Sequence, residues 1–435
     1  MTRSESRTVN EAALEGSSVQ ISTLANGLRV VTDARSDVAS SAVGVWVDAG
    51  ARHETAAENG VAHMLEHMAF KGTERRSARV IAEEIEAVGG HLNAYTSREH
   101  TAYFARVLGD DLPLSVDILA DILQHSSFLE DELARERTVV VQEIGQTEDT
   151  PDDIVFDHLQ EQAFPGQPLG RSILGTVEKV QAMDRARLGG FMDKHYVASS
   201  LVLCAAGAVD HDGLVALAER HFADLPTQTA GAYEPAVYGG GEVRAERDLE
   251  QVHFSLALPG LSYTDPDFYT AQALSTVLGG GMSSRLFQEV RESRGLCYAV
   301  FTFTQSFADG GVFCAYAGTG EDEVAELVPV LCDELVRVAA DAGEDEVARA
   351  RAQLKASTLM ALESSSARAE QLARQMLIFG RPIPPAEVVS RIEAVDAAAV
   401  RRVAGRILSA GAPTVAAIGP LRRLASYDDI AAKFH

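Results

Sequence analysis

The segment GVAHMLEHMAFKGT, which runs from Gly60 to Thr73, places three ionisable residues on one turn of an otherwise apolar, helix-favouring stretch. His63 and His67 are four positions apart, so on a helix they share one face, and Glu66 lies beside them within an arc of about 100°. Two imidazoles in this arrangement can bind one tetrahedral ion, and the carboxylate can reach a water molecule on that ion. The order H-x-x-E-H inverts the more familiar zinc helix H-E-x-x-H. The segment therefore predicts a zinc site, with a chance grouping of half-exposed side chains as the alternative.

A catalytic zinc site needs a third protein ligand and one open position. The best candidates lie in ERTVVVQEI, where Glu136 and Glu143 are seven positions apart and share a helix face with Val139 and Val140. Carboxylates on the apolar side of a helix are unusual because burying them without a partner is costly. A metal ion and a metal-binding histidine would satisfy both side chains. The alternative is two solvated acids at the margin of the face.

An internal repeat indicates which elements must position these residues. SAVGVWVDAG begins at Ser41 and has a counterpart, QVHFSLALPG, that begins at Gln251. LEDELARERTVVVQE begins at Leu129 and corresponds to GEDEVARARAQLKAS, which begins at Gly343. Two further pairs of segments have nearly the same offset. A nearly constant offset over four blocks predicts that the chain contains a duplication.

Each copy contains a strand, a long helix, a hairpin-like pair of strands, amphipathic helices and a late strand, which predicts the α+β class. We expect two homologous halves, each a mostly antiparallel sheet with helices packed on one face, arranged as a clamshell. Residues 1–225 form the N-terminal half that carries the zinc site. Residues 226–245, rich in Pro, Gly and small polar residues, form a linker. Residues 246–435 form the C-terminal half.

The repeat also separates chemistry from packing. The three ionisable residues of the first helix align with Ala273, Thr276 and Val277 of the second copy. The second copy therefore keeps the helix without the ionisable side chains. Packing alone does not require them.

Composition limits the classes of function. The 435 residues carry a net charge of −25, which argues against nucleic acid as a partner because a phosphate backbone needs a Lys/Arg surface. The four cysteines form no CxxC pair and indicate small buried side chains in a reducing compartment. The sequence contains no run of 18 apolar residues, so no membrane span is expected. Residues 1–18 lack the apolar core of a secretory signal. These features favour a cytoplasmic enzyme or binding protein.

Four motifs carry a resemblance to a known family. In chain order they are GVAHMLEHMAFKGT, HLNAYTSREHTAYFA, ERTVVVQEI and SRLFQEVRESRGLCYAV. In sequence and approximate spacing they resemble the pitrilysin- and insulysin-type inverzincin zinc peptidases, in particular the bacterial homologues of the mitochondrial processing peptidase beta subunit. The resemblance extends from about Val19 to Leu424.

This resemblance implies roles for the residues of the zinc site. His63, His67 and Glu143 match the zinc ligands of the family, which implies one Zn²⁺ per chain. Glu66 matches the general base. Glu136 matches a second acidic residue, which is expected behind the ligands, where it would orient one of them.

The resemblance also implies catalytic groups in the C-terminal half. Arg291 and Tyr298, in RESRGLCY, match an Arg/Tyr pair that approaches the zinc site when the halves close and stabilises the oxyanion. The alternative is a surface charge and a buried strand residue. Relatives of this length usually form dimers, so we expect a homodimer, in which the pair serves either its own zinc site or that of the partner.

Substrate contacts are expected on the strand LNAYTS and on a helix after Glu143. Asn93, Ala94 and Tyr95 match a sheet edge to which a peptide adds as a further strand, although a plain hairpin is the alternative. Asp153 and Asp157 lie one helical turn apart and match acidic residues that receive an arginine two residues before the cut. The alternative for them is a solvated acidic helix face.

Two other histidines, His53 and His100, are expected to form local hydrogen bonds rather than to bind metal. The sequence as a whole predicts a zinc endopeptidase that cleaves extended peptides or presequence-like segments, with basic residues favoured near the cut. The alternative is a catalytically weak peptide-binding protein or a structural subunit of the respiratory-complex type. We expect a bacterial cytoplasmic protein rather than one of the mitochondrial matrix.

Overall fold

A computed structural model describes residues 19–228 and 231–434. The prediction about a secretory signal concerns residues 1–18, which lie outside the described residues. Positions 229 and 230 of the expected linker lie outside them as well.

The described residues form eleven strands, fifteen α-helices and five short helical segments of other types. The strands are β1 (Val19–Thr23), β2 (Arg29–Ala34), β3 (Ser40–Val47), β4 (His91–Thr96), β5 (Thr101–Leu108), β6 (Leu201–Gly207), β7 (Gly241–Glu246), β8 (Val252–Pro259), β9 (Cys297–Ser306), β10 (Gly311–Thr319) and β11 (Thr414–Gly419). The helices are α1 (Val61–Ala69), α2 (Ala78–Ala87), α3 (Leu112–Gln124), α4 (Glu130–Glu148), α5 (Pro151–Ala163), α6 (Val177–Gln181), α7 (Arg185–His195), α8 (His211–His221), α9 (Phe268–Gly279), α10 (Val324–Asp341), α11 (Glu344–Ala361), α12 (Ser365–Phe379), α13 (Pro385–Glu393), α14 (Ala397–Leu408) and α15 (Tyr427–Ala431). The short segments are Ala51–His53, Gly109–Asp111, Ala198–Ser200 and Ala432–Phe434, which are 3₁₀-helices, and Phe287–Glu292, which is a π-helix. None of the described helices combines the length and apolar character that crossing a bilayer would require.

The strands form two sheets of corresponding order. The first sheet has the order β1-β2-β6-β3-β5-β4 and the second the order β7-β11-β8-β10-β9. Neighbouring strands are antiparallel except for β2 with β6 and β7 with β11, which are parallel. Apart from β1, the two orders correspond strand by strand. The predicted α+β fold with two homologous, mostly antiparallel halves is confirmed.

One face of each sheet is covered by helices of the same half. Val43, Val45 and Val47 of β3 point to this face in the first sheet, where they form one core with side chains of α1, α3, α4, α7 and α8. Helices α9, α10 and α14 cover the matching face of the second sheet. The alternate residues Ala42 and Trp46 point to the opposite face, because successive side chains on a strand alternate.

The opposite face of each sheet is covered by one helix of the other half. Leu372 and Met376 of α12, in the C-terminal half, pack on Trp46 in the first sheet. Leu159 of α5, in the N-terminal half, packs in one cluster with Tyr316 in the second sheet. Both β6 and β11 are buried along their whole length, so their sequences are nearly continuous apolar runs. The two halves are therefore interlocked by exchanged helices, in addition to the predicted helix layer on one face.

The linker is shorter than the sequence predicts. No helix or strand occurs at its described positions up to 240, but β7 begins at Gly241 and takes up positions 241–245. The reason is the parallel pairing of β7 with β11, which continues from Gly241 to Glu246. A charge-rich, alternating segment at a sheet edge lacks the apolar run that marks the inner strands.

Arg52 joins the two halves beside this linker. Its guanidinium is fully buried and forms ion pairs with Glu99 of the first half at 2.7 Å and Asp309 of the second half at 2.6 Å. It also donates a hydrogen bond to the carbonyl oxygen of Glu234 and lies 4.1 Å from the ring centroid of Tyr233. A buried charge needs such partners to offset its loss of hydration. The linker is thus tied to the contact between the halves.

Candidate metal centre

Helix α1 carries three of the predicted site residues. It begins after Gly60, whose φ of 94° lies in the left-handed region that glycine adopts without strain. Its apolar side, which includes Met64, is buried in the core of the first half. His63, Glu66 and His67 lie on the remaining side, where α4 packs against the helix.

Glu54 anchors the first turn of α1. Its carboxylate is buried and accepts hydrogen bonds from the main-chain N–H of Gly60 and of Ala62, both at 2.9 Å, and from the side-chain amide of Asn59 at 3.0 Å. Burial raises the pKa of Glu54 to about 7, and the carboxyl oxygens supply acceptors for N–H groups that have no partner within the helix. Glu54 therefore fixes the start of the helix, directly before His63.

Three side chains converge as the sequence predicts. Oε2 of Glu143, on α4, lies 3.6 Å from Nε2 of His63 and 3.5 Å from Nε2 of His67. One ligand atom from each residue lies within 4.8 Å of the others. The two imidazole rings are 4.7 Å apart between centroids and inclined at 71°.

Glu136 lies behind this set, two helical turns before Glu143 on α4. Its Oε2 is 3.0 Å from Nδ1 of His67, and its Oε1 is 2.7 Å from Nζ of Lys71. A proton on Nδ1 of His67 would be donated to Glu136, which leaves the lone pair on Nε2 free for a metal ion beside Glu143. Such a carboxylate–histidine contact fixes the tautomer and orientation of a metal-binding imidazole.

Charge and burial shift the titration of the three converging side chains. Burial lowers the pKa of His63 to about 4, and the neighbouring His67 adds to this effect, so His63 is neutral at pH 7. The carboxylate of Glu143 raises the pKa of His67, and the contact with His67 lowers the pKa of Glu143. The raised pKa favours a protonated His67 in the absence of metal, and a divalent cation would displace that proton, because it binds the neutral imidazole and the ionised carboxylate.

Glu66 differs from the converging residues in its environment. Burial raises the pKa of Glu66, while hydrogen bonding from Thr96 opposes the rise. Thr96 is the last residue of β4, and its hydroxyl oxygen lies 3.4 Å from the carbonyl oxygen of Ala62 in α1. Glu66 therefore lies between the converging side chains and the end of β4.

The residues fit a zinc ion. Zinc binds imidazole nitrogen and carboxylate oxygen at about 2.0–2.2 Å, so neighbouring ligands of a tetrahedral ion are roughly 3.4 Å apart. The two distances from Glu143, 3.6 Å and 3.5 Å, are close to this separation. Three protein ligands also leave one position for a non-protein ligand, as catalytic zinc requires.

Comparison with known proteins identifies the family. Residues 29–177 match the model described as insulinase (peptidase family M16), and residues 182–354 match the peptidase M16 inactive domain. The probable mitochondrial-processing peptidase subunit beta of Arabidopsis thaliana is 41% identical over 430 residues, which cover 95% of this chain and 81% of that protein. The chain belongs to peptidase family M16.

A second relative and two solved structures are also similar to this M16 chain. An uncharacterized zinc protease of Rickettsia bellii is 41% identical and covers 92% of this chain and 97% of its own length. A chain in complex III2 from Candida albicans with Inz-5 bound has a TM-score of 0.86 at 23% identity, with 96% of this chain and 99% of that chain covered. A crystal structure of a peptidase M16 inactive domain from Pseudomonas fluorescens has a TM-score of 0.85 at 21% identity, with 92% and 98% covered. The two structures show the shared fold.

The Arg/Tyr pair lies in the C-terminal half of the M16 chain. The guanidinium of Arg291 lies 4.9 Å from the ring centroid of Tyr298 and 4.8 Å from that of Phe287. Tyr298 is 78% exposed, so it is not the buried strand residue of the alternative reading. Among the described residues, no hydrogen bond, ion pair or ring contact joins the pair to the metal centre. The oxyanion role stays a prediction.

The expected peptide-binding strand, β4, lies at the edge of its sheet and, among the strands that the structure describes, pairs only with β5. The Asn93 side chain accepts a hydrogen bond from the main-chain N–H of Ala94 at 2.8 Å, so a main-chain donor of the edge strand is bound locally. The Tyr95 hydroxyl donates to Glu370 of α12 at 3.1 Å. Addition of a peptide to this strand stays a prediction.

The two predicted specificity residues have different surroundings. Asp153 is exposed in the first turn of α5. Asp157 lies 3.3 Å from the buried guanidinium of Arg98 and accepts a hydrogen bond from Ser172 at 2.9 Å. Arg98 also donates to the carbonyl oxygen of Leu169. Asp157 is therefore already paired within the chain, which leaves Asp153 as the available carboxylate.

His53 and His100 form local hydrogen bonds, as predicted. Nδ1 of His53 accepts from the main-chain N–H of Gly50 at 3.1 Å. Nδ1 of His100 lies 3.1 Å from Oγ of Ser97, and its Nε2 lies 3.1 Å from the hydroxyl of Tyr95. Neither is among the described residues that converge on the metal centre.

Sequence reasoning misses the residues that hold α1 and Glu136 in place. Glu54 lies in a turn six residues before Gly60, outside the spacing of an ordinary capping residue, so no local pattern identifies it. Lys71 carries a weak signal, because it follows His67 by one helical turn. Its partner Glu136 is 65 positions away and comes close only in the folded chain.

We predict a ranking of zinc affinity among variants of three glutamates. Glu143→Gln should weaken zinc binding most, because it removes a charged ligand, and Glu136→Gln should weaken it by about 10–100-fold. Glu66→Gln should bind zinc nearly as well as the unmodified protein. Titration with a competing chelator measures all three, with the exposed Glu148→Gln on α4 as the control. If Glu136→Gln lost more affinity than Glu143→Gln, our assignment of the third ligand would be wrong.

Proposed function

We propose that this chain is a zinc-dependent endopeptidase that hydrolyses extended peptides, presequence-like segments included. The convergence of His63, His67 and Glu143 beside Glu66 carries the proposal. Zinc bound by these three residues, one ion per chain, would polarise a water molecule and the scissile carbonyl. The names of relatives from Rickettsia bellii and Streptomyces coelicolor, both zinc proteases, support the choice of metal.

Glu66 is the general base in this proposal. It accepts a proton from the attacking water as the new C–O bond forms, and it returns the proton to the leaving amine as the C–N bond breaks. Burial raises the pKa of Glu66 towards the range that suits proton transfer near neutral pH. Its position beside Thr96, at the end of β4, supports the idea that a peptide paired with Asn93, Ala94 and Tyr95 presents its scissile bond to this carboxylate.

The Arg291 and Tyr298 side chains supply donors for the oxyanion in this proposal. Tyr298 is exposed and Arg291 is half-buried, which suits groups that act on a substrate or on the site of a second chain. We therefore propose a homodimer, and we place the enzyme in a bacterial cytoplasm, which is compatible with the bacterial relatives. The mitochondrial-processing peptidase names of other relatives make peptides with basic residues the first substrates to examine.

The central experiment compares Glu66→Gln with the unmodified chain on a quenched fluorescent peptide. We expect loss of hydrolysis with zinc still bound, because the variant lacks the base but keeps all three ligands. Zinc content is measured on the same samples. Turnover close to that of the unmodified chain would refute the role of Glu66. Zinc binding without any hydrolysis by the unmodified chain would favour a peptide-binding or structural protein instead.

Arg291→Ala and Tyr298→Phe should keep zinc and lose roughly a hundredfold or more in turnover, as loss of an oxyanion donor typically does. Arg294→Ala, a nearby exposed arginine, is the control. Mixing Arg291→Ala subunits with Glu66→Gln subunits tests how a site is assembled. Activity that reappears in the mixture would show that the pair acts across a dimer. Full activity of the single variants would remove the pair from the mechanism.

Asp153 is the proposed determinant of a preference for arginine two residues before the cut. A guanidinium can form charge-assisted hydrogen bonds with this exposed carboxylate, whereas Asp157 is already bound by Arg98. A lysine at the same peptide position should be preferred less, because it lacks the planar fork. An exposed ion pair contributes at most about 1 kcal/mol.

We predict that Asp153→Asn lowers the arginine-over-alanine preference by up to about fivefold in kcat/KM, which follows from that energy. Asp153→Lys should abolish the preference and leave zinc in place. Asp152→Asn, which removes a charge from the same turn, is the matched control. The measurement is cleavage-site mapping on a mixed peptide library. An unmodified enzyme that shows no enrichment of basic residues at this position would overturn the prediction.

A further inference from the structure

A cavity of about 400 Å³ lies between the two halves, apart from the metal centre. Its walls come from the turn between β4 and β5, the end of β9, the segment around Tyr263, and helices α9 and α12. Ligand pockets have volumes of about 300–1,000 Å³ and often lie between domains. None of the residues that converge on the metal centre lines this cavity.

Strand β4 separates the cavity from the metal centre. Side chains of successive strand residues point to opposite faces of a sheet. Thr96 accordingly contacts α1 on one face, and Tyr95 reaches Glu370 of α12 on the other. The cavity is therefore on the face of the first sheet that α12 covers.

Two opposite charges on α12 line the cavity with unused hydrogen-bonding capacity. Glu370 and Arg374 are one helical turn apart, and their side chains are 42% and 38% exposed. Oε1 of Glu370 and Nη1 of Arg374 are 3.9 Å apart, which is too long for a hydrogen bond. Arg374 donates to the Tyr263 hydroxyl, and Glu370 accepts from Tyr95, so the guanidinium keeps free N–H groups and the carboxylate keeps a free oxygen.

The other ionisable groups around the cavity are already bound or neutral. Glu99 is paired with Arg52 and accepts from the main-chain N–H of Ala308. Arg98 is bound by Asp157 and by main-chain carbonyl groups. Burial lowers the pKa of His100 to about 3, so this imidazole carries no charge near neutral pH. Glu370 and Arg374 are the charges available to a ligand.

The remaining walls are partly aromatic. Tyr263 and Phe268 have ring centroids 6.2 Å apart, and Phe307, the residue after β9, also lines the cavity. A ligand that fills this cavity would place an apolar group against these rings. Its charged groups would lie beside the two side chains of α12.

We propose that this cavity binds a free α-amino acid with an aromatic or large apolar side chain. The carboxylate of the amino acid binds Arg374, and its ammonium group binds Glu370. An α-amino acid suits this pair because its ammonium group is bonded to the carbon atom next to its carboxylate. The two opposite charges of the ligand are therefore close together, as are the charges of the two α12 side chains. The site is independent of the proposed peptidase activity, because binding requires neither zinc nor turnover.

The probe is L-phenylalanine, and binding is measured by calorimetry on the full chain, with zinc and after chelation. We expect the same affinity in both states. N-acetyl-L-phenylalanine lacks the cation and L-phenylalaninamide lacks the anion, so each should bind at least about tenfold more weakly. Binding that requires zinc, or equal binding of N-acetyl-L-phenylalanine, would overturn the proposal.

Variants assign the two charges. Arg374→Gln should weaken the binding of L-phenylalanine about tenfold or more and leave the already weak binding of L-phenylalaninamide unchanged. Glu370→Gln should also weaken the binding of L-phenylalanine about tenfold or more, and it should leave the already weak binding of N-acetyl-L-phenylalanine unchanged. Arg423→Gln, an exposed arginine of the C-terminal half whose ion-pair partner Asp322 is also exposed, is the control. Thermal unfolding without ligand checks that each variant is folded. Unchanged binding of L-phenylalanine to folded Arg374→Gln would refute the proposed contact.

Discussion

A carboxylate buried against the first turn of α1 holds the helix on which the proposed chemistry depends. Glu54 binds two main-chain N–H groups of this turn, and Gly60 allows the chain to enter the helix at a positive φ. From this fixed start, helical geometry places His63 and His67 on one face. The position of the metal centre therefore follows from an interaction that contains no ligand.

Buried charged side chains near this helix are held in place by the partners that each of them requires. Glu136 is satisfied by His67 and Lys71, and Arg52 is satisfied by acids from both halves. Removing one partner of such a pair leaves the other charge buried and uncompensated, which is more costly than the pair is stabilising. These groups thus specify position more than they add stability. The same principle explains why Asp157, beside the buried Arg98, is a constituent of the fold.

The sequence predicts the parts of this structure that depend on local spacing or on repetition. His63, Glu66 and His67 follow from helical periodicity, and the two sheets follow from strands that recur at a nearly constant offset. The exchanged helices could not be predicted, because an amphipathic pattern shows that a helix has an apolar face but not which sheet the face covers. The pairing of Asp157 with Arg98 depends on residues 59 positions apart, and charge alone does not distinguish it from the exposed Asp153. The sequence pattern places most of β7 in the linker, because an edge strand carries no continuous apolar run.

The exchange of α5 and α12 makes each half depend on the other for the cover of its sheet. One half folded alone would expose an apolar face of its sheet to water, and its own exchanged helix would have no sheet to cover. Such a chain could bury both surfaces only by pairing with a second copy, each lending its helix to the other. A half-length chain of this fold is therefore expected to be stable only as a dimer that exchanges these helices. In the joined chain, the C-terminal half lacks the metal-binding residues, yet its helix α12 remains indispensable to the sheet of the other half.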